Sequence, residues 1–493
     1  MSENQSSYKQ IFKATSIFGG VQVFNILISI IRAKFIAVIV GPAGIGLLGL
    51  LTSTLGLISS ATSFGLGASS VKDIAYANEQ GDQATLLKIS SVLNKLVWYT
   101  GGLGMILTAA LSPFLSKLTF NTYDYTWSFV FLAVTLFLGQ LTLGKDAVLQ
   151  GTRQLKWLAY ANMCSSTLSL LVTFPLYFIY GLDGIVPAMI IISVTTLIVT
   201  QFFYARLKFI LPSINIKETW KNGQGMLRLG FFLSLSGIIA TVCSYGVRIF
   251  ITRFGGLEAV GFYSAGFGII NSYVGIIFIA MGTDYYPRLS GAVHDHAKLN
   301  SLVNEQGNVA LIILGPILTT FIVFLNFAII ILYSEDFLPI EAMMQYAIIG
   351  VFFKAASWLL GFILLAKGDT KMFFWNELSA NIYQTFFNCI GYYFWGLEGL
   401  GISFIIGYLL YLTQMIFFTK IYYKFYFEKS FLTIFAIHTL IGIISLCCIK
   451  FIKNAAISYI IGSSIIIISL LCSYVKLNQI INIKEVFGKY LKK

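Results

Sequence analysis

Charge is scarce in this chain, and that scarcity decides its class. Only 11% of the 493 residues are charged while 57% are hydrophobic, and the mean hydropathy is +0.82, an inventory that no soluble domain carries. Cysteine is sparse as well. Cys164, Cys243, Cys389, Cys447, Cys448 and Cys472 all fall in apolar runs, with no Cys-x-x-Cys spacing, which excludes a disulfide framework and leaves small packing residues. Histidine is rarer still, and His294 and His296 flank Asp295 in a stretch that reads as a solvated polar turn rather than a metal site. There is no Ser-His-Asp arrangement in a polar setting, no metal-ligand spacing and no Walker A loop. An enzyme reading would require acidic residues clustered on a large outer loop, and the outer loops are short. No catalytic residue, metal or cofactor is expected.

What the chain has in abundance is apolar runs of about 20 residues, which read as helices because a helix satisfies its own backbone hydrogen bonds inside a bilayer. Fourteen spans are expected, near 14 to 38, 45 to 70, 88 to 111, 125 to 149, 157 to 180, 184 to 205, 229 to 253, 261 to 284, 304 to 332, 342 to 366, 372 to 395, 400 to 420, 430 to 450 and 456 to 475. The fold class is therefore an all-α polytopic membrane protein. The first ten residues are polar and the first apolar run is too long for a signal-peptide core, so it reads as a retained span. A net charge of +13 would suit nucleic acid, but the cations sit in short loops on one side. With the N-terminus inside, one side holds cations from Lys9 to Lys493, the 206–228 segment included, and the other only Lys117, Lys450 and Lys453. That asymmetry places both termini in the cytoplasm.

Glycines and a lysine recur at one offset: Gly41 and Gly256, Gly46 and Gly261, Gly181 and Gly396, Gly184 and Gly399, Lys156 and Lys371 (256 − 41 = 261 − 46 = 396 − 181 = 399 − 184 = 371 − 156 = 215). Six spans per repeat make the two halves parallel, an arrangement that puts a site between two lobes. The expected domains are a six-helix lobe over 1–210, a second over 211–427, and an extra helix pair with a tail over 428–493. Matching loops are expected from Lys72 to Lys88 and from Arg288 to Val303, and tight turns at Gly181-Leu182-Asp183-Gly184 and Gly396-Leu397-Glu398-Gly399. Pro175, Pro187 and Pro316 lie within spans, as kinks that are either fixed or mobile.

Charges inside spans carry most of the functional information. An ion at the bilayer centre costs roughly 2.5 to 3.5 kcal/mol on insertion scales. Lys354 lies about 18 Å from the outer end of the tenth span, at 1.5 Å per residue, too deep to snorkel, and so faces protein or water. Arg248 and Lys34 each precede a glycine by seven residues, roughly 10 Å below the outer surface. Arg32 and Lys34 are about 200° apart on a helical wheel, so both cannot point into one cavity, and each either snorkels or faces it. Lys95 is intermediate in depth. Asp146, Asp284 and Glu377 lie near span ends, as charge partners or ion-coupling groups. No Asp or Glu occurs in the first or seventh span.

The stretch Ala33-Lys34-Phe35 through Val40-Gly41-Pro42-Ala43-Gly44-Ile45-Gly46 resembles the first-helix signature of Wzx-type O-antigen flippases. The order Gly350, Lys354, Gly361, Ala366-Lys367, Glu377 and the run Tyr286-Pro287-Arg288-Leu289-Ser290 are similar to the same family. The resemblance covers the first twelve spans; the last two, and Asp284 before Pro287, depart from it. It implies the multidrug/oligosaccharidyl-lipid/polysaccharide exporter fold, with two six-helix lobes around a central cavity. It also implies transport without catalysis: an undecaprenyl-diphosphate-linked oligosaccharide flipped from the inner to the outer leaflet of the bacterial inner membrane. H+ or Na+ would be the coupling ion, membrane lipids the surroundings, and a polysaccharide polymerase and chain-length regulator the protein partners. The residues agree, since Lys354, Arg248 and Lys34 or Arg32, with Lys95, offer positive charge to a diphosphate. The alternative, an ion-coupled multidrug antiporter of the same fold, would be expected to place carboxylates in the first or seventh span.

Overall fold

The computed structural model describes residues 3–452 and 454–480; Lys453, Lys484, Lys489, Lys492 and Lys493 lie outside the described residues, as does the end of the C-terminal tail. Among the described residues every regular element is a helix. The chain divides into two compact units, Met1–Gly261 and Phe262–Lys493.

The first unit holds α1 (Glu3–Thr62), α2 (Leu66–Glu79), α3 (Gln83–Phe120), α4 (Thr126–Gly151), α5 (Leu155–Tyr180), α6 (Ile185–Tyr204) and most of α7 (Ile216–Ile269). Asp82 starts α3 by accepting the Thr85 N–H at 3.0 Å, which satisfies one of the helix's orphan donors. The same helix stops where Asn121 turns left-handed at φ 60°. α4 packs against α3 on one side and α6 on the other, around a core that includes Leu66, Ile74, Leu93, Leu96 and Val148. Large apolar side chains also point outward, with Trp127 69% and Phe178 73% exposed, a surface suited to lipid and not to water.

The second unit holds the end of α7, then α8 (Gly275–Ser290), α9 (His296–Val323), α10 (Leu325–Leu332), α11 (Glu341–Lys367), α12 (Thr370–Tyr423), α13 (Lys429–Phe451) and α14 (Ala455–Ile480). Asp295 caps α9 by accepting the N–H groups of Ala297 and Lys298, each at 3.0 Å, so the 294–296 stretch is a helix-starting turn. α11 packs along α12. The two helices without a repeat partner, α13 and α14, pack on α9. There His438 is buried between Ser469 and Ser473, each 3.3 Å from a ring nitrogen, and Ser473 donates to the Ile312 carbonyl at 2.9 Å.

The 215-residue offset is visible in the element boundaries. α4 begins at Thr126 and α11 at Glu341, α5 at Leu155 and α12 at Thr370 (341 − 126 = 370 − 155 = 215). Ten helical stretches among the described residues are long and apolar enough to cross a membrane, fewer than the fourteen spans expected. The difference lies in Phe24–Thr62, Leu155–Leu207, Ile216–Ser290 and Thr370–Tyr423, each of which takes in most or all of two expected spans. A straight rod of the last length would run about 80 Å against a hydrocarbon core of about 30 Å. Each of the four is broken instead by a glycine of positive φ: Gly41 (65°), Gly181 (54°), Gly256 (75°) and Gly396 (57°). Their ψ values pair by repeat, −169° with −171° and −126° with −136°. A Cβ at any of the four would meet nothing within 4 Å, so it is the left-handed backbone and not crowding that requires glycine.

The expected loops are shorter than composition suggested. Between Lys72 and Lys88 the chain is helical except for residues 80–82, because α2 is amphipathic and buries Leu66, Ser69, Ser70, Ile74 and Ala77 at helical spacing against α3 and α4. Likewise α8 runs to Ser290 and α9 starts at His296, so little of Arg288 to Val303 is loop. The 206–228 segment is irregular only as far as Asn215, and it is held to α3: Ser91 donates to the Pro212 carbonyl at 2.8 Å and the Lys95 ammonium donates to that of Ile214.

Candidate functional site

Lys354 stands at the midpoint of α11, thirteen residues from either end (354 − 341 = 367 − 354 = 13). It is half-buried, and among the described residues no carboxylate forms a salt bridge with it. Its neighbours are rings. Nζ lies 5.6 Å from the Tyr408 centroid and 6.0 Å from that of Phe278. Two such contacts contribute about 0.5 to 1 kcal/mol each where water reaches them. A mid-membrane ammonium costs roughly 2.5 to 3.5 kcal/mol, so the rings orient this charge without neutralising it.

Glu377, on α12, does not pair with Lys354. Its Oε1 accepts the Tyr411 hydroxyl at 2.5 Å. Both residues line a cavity of about 110 Å³ with Asn381, Tyr383, Gln384 and Tyr408. Tyr408 therefore borders the carboxylate's cavity and also meets the lysine. On the Phe278 side an apolar cavity of about 440 Å³ opens between α8 and α11, lined by Gly282, Tyr286, Trp358 and Phe362. The second unit thus sets a cation between a polar, tyrosine-rich cavity and an apolar one. Such a neighbourhood suits a ligand that is anionic at one end and greasy at the other.

The remaining expected residues fall in several places. Asp284 is 71% exposed along its side chain and pairs with Arg288 one turn on, at 3.2 Å, a local surface bridge worth little. In the first unit, Arg32 is half-buried, and its Nη2 donates to the Ser166 carbonyl at 3.5 Å while its Nε is buried without a partner. Lys34 and Arg248 are also half-buried. Lys95 is engaged with the backbone at Ile214. Asp146 lines a separate cavity of about 400 Å³.

Sequence reasoning missed the aromatic surroundings of Lys354. Phe404, Tyr408 and Tyr411 recur at i, i+4 and i+7 on α12, a one-faced aromatic stripe that was available as a signal. Phe278 carried none, since it lies in an apolar run.

A family model described as "Polysaccharide biosynthesis protein" matches residues 11–293. A Shigella flexneri protein named as an O-antigen transporter is 24% identical over 355 residues, covering 70% of this chain and 82% of that protein. The lipid III flippase of Escherichia coli (strain K12) is 21% identical over 361 residues, covering 70% and 83%. Among solved structures, the lipid II flippase MurJ in an inward closed conformation matches with a TM-score of 0.67 at 14% identity, covering 95% of this chain and 99% of that one. An inward-facing multidrug resistance transporter of the MATE family, MOP superfamily, matches with a TM-score of 0.66 at 15% identity, covering 88% and 96%.

Proposed function

The chain belongs to the polysaccharide biosynthesis protein family, and from that membership we propose that it flips an undecaprenyl-diphosphate-linked oligosaccharide, the repeat unit of an O-antigen or related polysaccharide, from the inner to the outer leaflet of the bacterial inner membrane. The observation that carries this reading is Lys354: a cation at mid-helix with two aromatic faces, no carboxylate partner among the described residues, and an apolar cavity beside it. A lipid-linked diphosphate brings about two negative charges that must cross a low-dielectric core, and a fixed ammonium lowers the cost of that passage. The phosphates would lie against Lys354 and the first isoprene units against Phe278 and Trp358. Arg248 with Arg32 or Lys34 would supply charge at a second depth, while the lobes 1–210 and 211–427 alternate around the substrate. The four glycine-broken stretches would each cross twice, giving fourteen spans.

The multidrug fold neighbour makes cation export the competing reading. It is disfavoured because the first and seventh expected spans carry Arg32, Lys34 and Arg248 and no carboxylate. Mass spectrometry of the lipid-linked glycans in a deletion strain separates the two. A flippase leaves undecaprenyl-diphosphate oligosaccharide accumulating inside the cell, whereas an unchanged lipid-linked pool together with increased drug sensitivity would support the antiporter.

A further inference from the structure

The 400 Å³ cavity of the first unit is the repeat counterpart of the surroundings of Lys354 in the second. Gly67, Gly139, Thr142, Ser193 and Thr196 line it, and the offset carries them to Gly282, Lys354, Ser357, Tyr408 and Tyr411 (282 − 67 = 354 − 139 = 357 − 142 = 408 − 193 = 411 − 196 = 215). Where the second unit places a lysine the first has Gly139, and a Cβ there would meet nothing within 4 Å. Where the first unit has Asp146 the second has Gly361 (361 − 146 = 215). One location in the repeat is thus cationic and ringed by aromatics in one half, and carboxylate-bearing and open in the other.

The hydrogen bonds around Asp146 define what the open half would hold. Its Oδ1 is buried and has no partner, and although Lys145 is adjacent in sequence, no salt bridge joins them among the described residues. Thr142 spends its hydroxyl proton on the Leu138 carbonyl at 2.9 Å and Ser193 spends its own on that of Met189 at 3.0 Å, so both turn oxygen lone pairs toward the cavity. Thr196 and the Gln150 side-chain carbonyl add further oxygen. With the Asp146 carboxylate as the one charged group lining the cavity and two hydroxyls whose protons are already spent, the wall favours a cation over an anion. All-oxygen ligation selects a hard ion. One carboxylate with neutral oxygens balances a single positive charge, whereas calcium sites recruit several carboxylates. At about 30 Å³ per water, the cavity has room for an ion that keeps part of its hydration.

We infer that this cavity binds a sodium ion through Asp146, Thr142 and Ser193. The site rests on the flippase reading and deepens it by supplying a coupling ion in the unit that lacks Lys354, but ion binding is measured without transport, so either reading can fail alone. The experiment uses the full-length protein in detergent and follows thermal unfolding in sodium chloride against choline chloride at equal ionic strength. A ligand that binds the folded state raises the unfolding temperature in a saturable way. The sodium-dependent rise is expected in the wild type, is expected to vanish in Asp146→Asn, and is expected to persist in Glu377→Gln. Thr142→Val, which keeps the carboxylate, is expected to raise the half-saturating concentration by about ten-fold, and it serves as the test if Asp146→Asn does not fold. The inference is overturned if sodium has no effect on the wild type, if its effect survives unchanged in Asp146→Asn, or if Thr142→Val binds as the wild type does. A rise produced by lowering the pH alone, lost in Asp146→Asn, would make the occupant a proton and also overturn it.

Discussion

Gly46 and Gly261 lie back to back within the first unit: a Cβ on Gly46 would stand 2.0 Å from the carbonyl oxygen of Leu257, and one on Gly261 would stand 1.9 Å from that of Pro42. Pro42 and Leu257 are separated by the repeat offset, as the two glycines are (257 − 42 = 261 − 46 = 215), so the contact maps onto itself when the halves are exchanged. The backbones of α1 and α7 meet here at a distance only glycine permits.

Replacing Gly46 by Ala should therefore destabilise the protein despite alanine's better helix propensity. The propensity gain is about 1 kcal/mol, and overpacking against a rigid carbonyl costs about 1 to 3 kcal/mol. Gly56 on the same helix has nothing within 4 Å of its missing Cβ, so Gly56→Ala is the matched control and should be neutral or slightly stabilising. Thermal unfolding of the three proteins checks the ordering.

Topology follows from the one-sided distribution of Lys and Arg. Both termini and the 206–228 segment are expected to face the cytoplasm. Green fluorescent fusions at the C-terminus should be bright and phosphatase fusions there inactive, and the reverse pattern would remove the fourteen-span arrangement.

Lys95 is expected to act on structure before substrate. Its ammonium donates to the Ile214 carbonyl and Ser91 donates to that of Pro212. Lys95→Met should loosen residues 208–215, seen as faster amide exchange and proteolysis there, and export should fall less than on loss of Lys354. Equal loss of export with unchanged protection at 208–215 would return Lys95 to the substrate path.

Asp82 lies outside the spans, and its hydrogen bonds from Thr85 hold its carboxyl below the usual value of 3.8. A carboxyl depressed in the folded state stabilises above its unfolded pKa, and that contribution fades as pH falls through the lower folded value. Protection of the first turn of α3 should therefore drop with acidification below about 3.8 in the wild type. Asp82→Asn keeps a capping oxygen without a titratable group and should remove the pH dependence, which residue-resolved amide exchange reads directly.

Much of this architecture could be read before any coordinates. The offset appears in Gly41 and Gly256 because a positive φ combined with a ψ near 180° is open essentially to glycine alone, which leaves a mark in sequence. The depth of Lys354 was legible because helical rise converts residue count into ångströms. What escaped depended on contacts between distant segments. Gly46 and Gly41 look alike in sequence, yet one glycine is demanded by a neighbouring carbonyl and the other by its own φ. Polar α2 read as loop because its buried face is made largely of small residues, Ser69, Ser70 and Ala77. The tyrosine that satisfies Glu377 sits 34 residues away on the same helix, beyond the break at Gly396, and no local pattern announces it.

The central claim is that the charge of Lys354 binds the diphosphate. Tyr411 satisfies Glu377, so the lysine is not required to neutralise that carboxylate, and the two substitutions should not rescue one another. The measurement is surface glycan together with the amount and thermal stability of inserted protein, for Lys354→Ala, Lys354→Arg, Glu377→Gln and the Lys354→Ala/Glu377→Gln pair. Loss of glycan in Lys354→Ala at unchanged insertion and stability, partial retention in Lys354→Arg, which preserves charge with altered donor geometry, and no rescue in the double substitution are the expected results. Normal glycan in Lys354→Ala, or recovery of both export and stability in the double substitution, would contradict the claim.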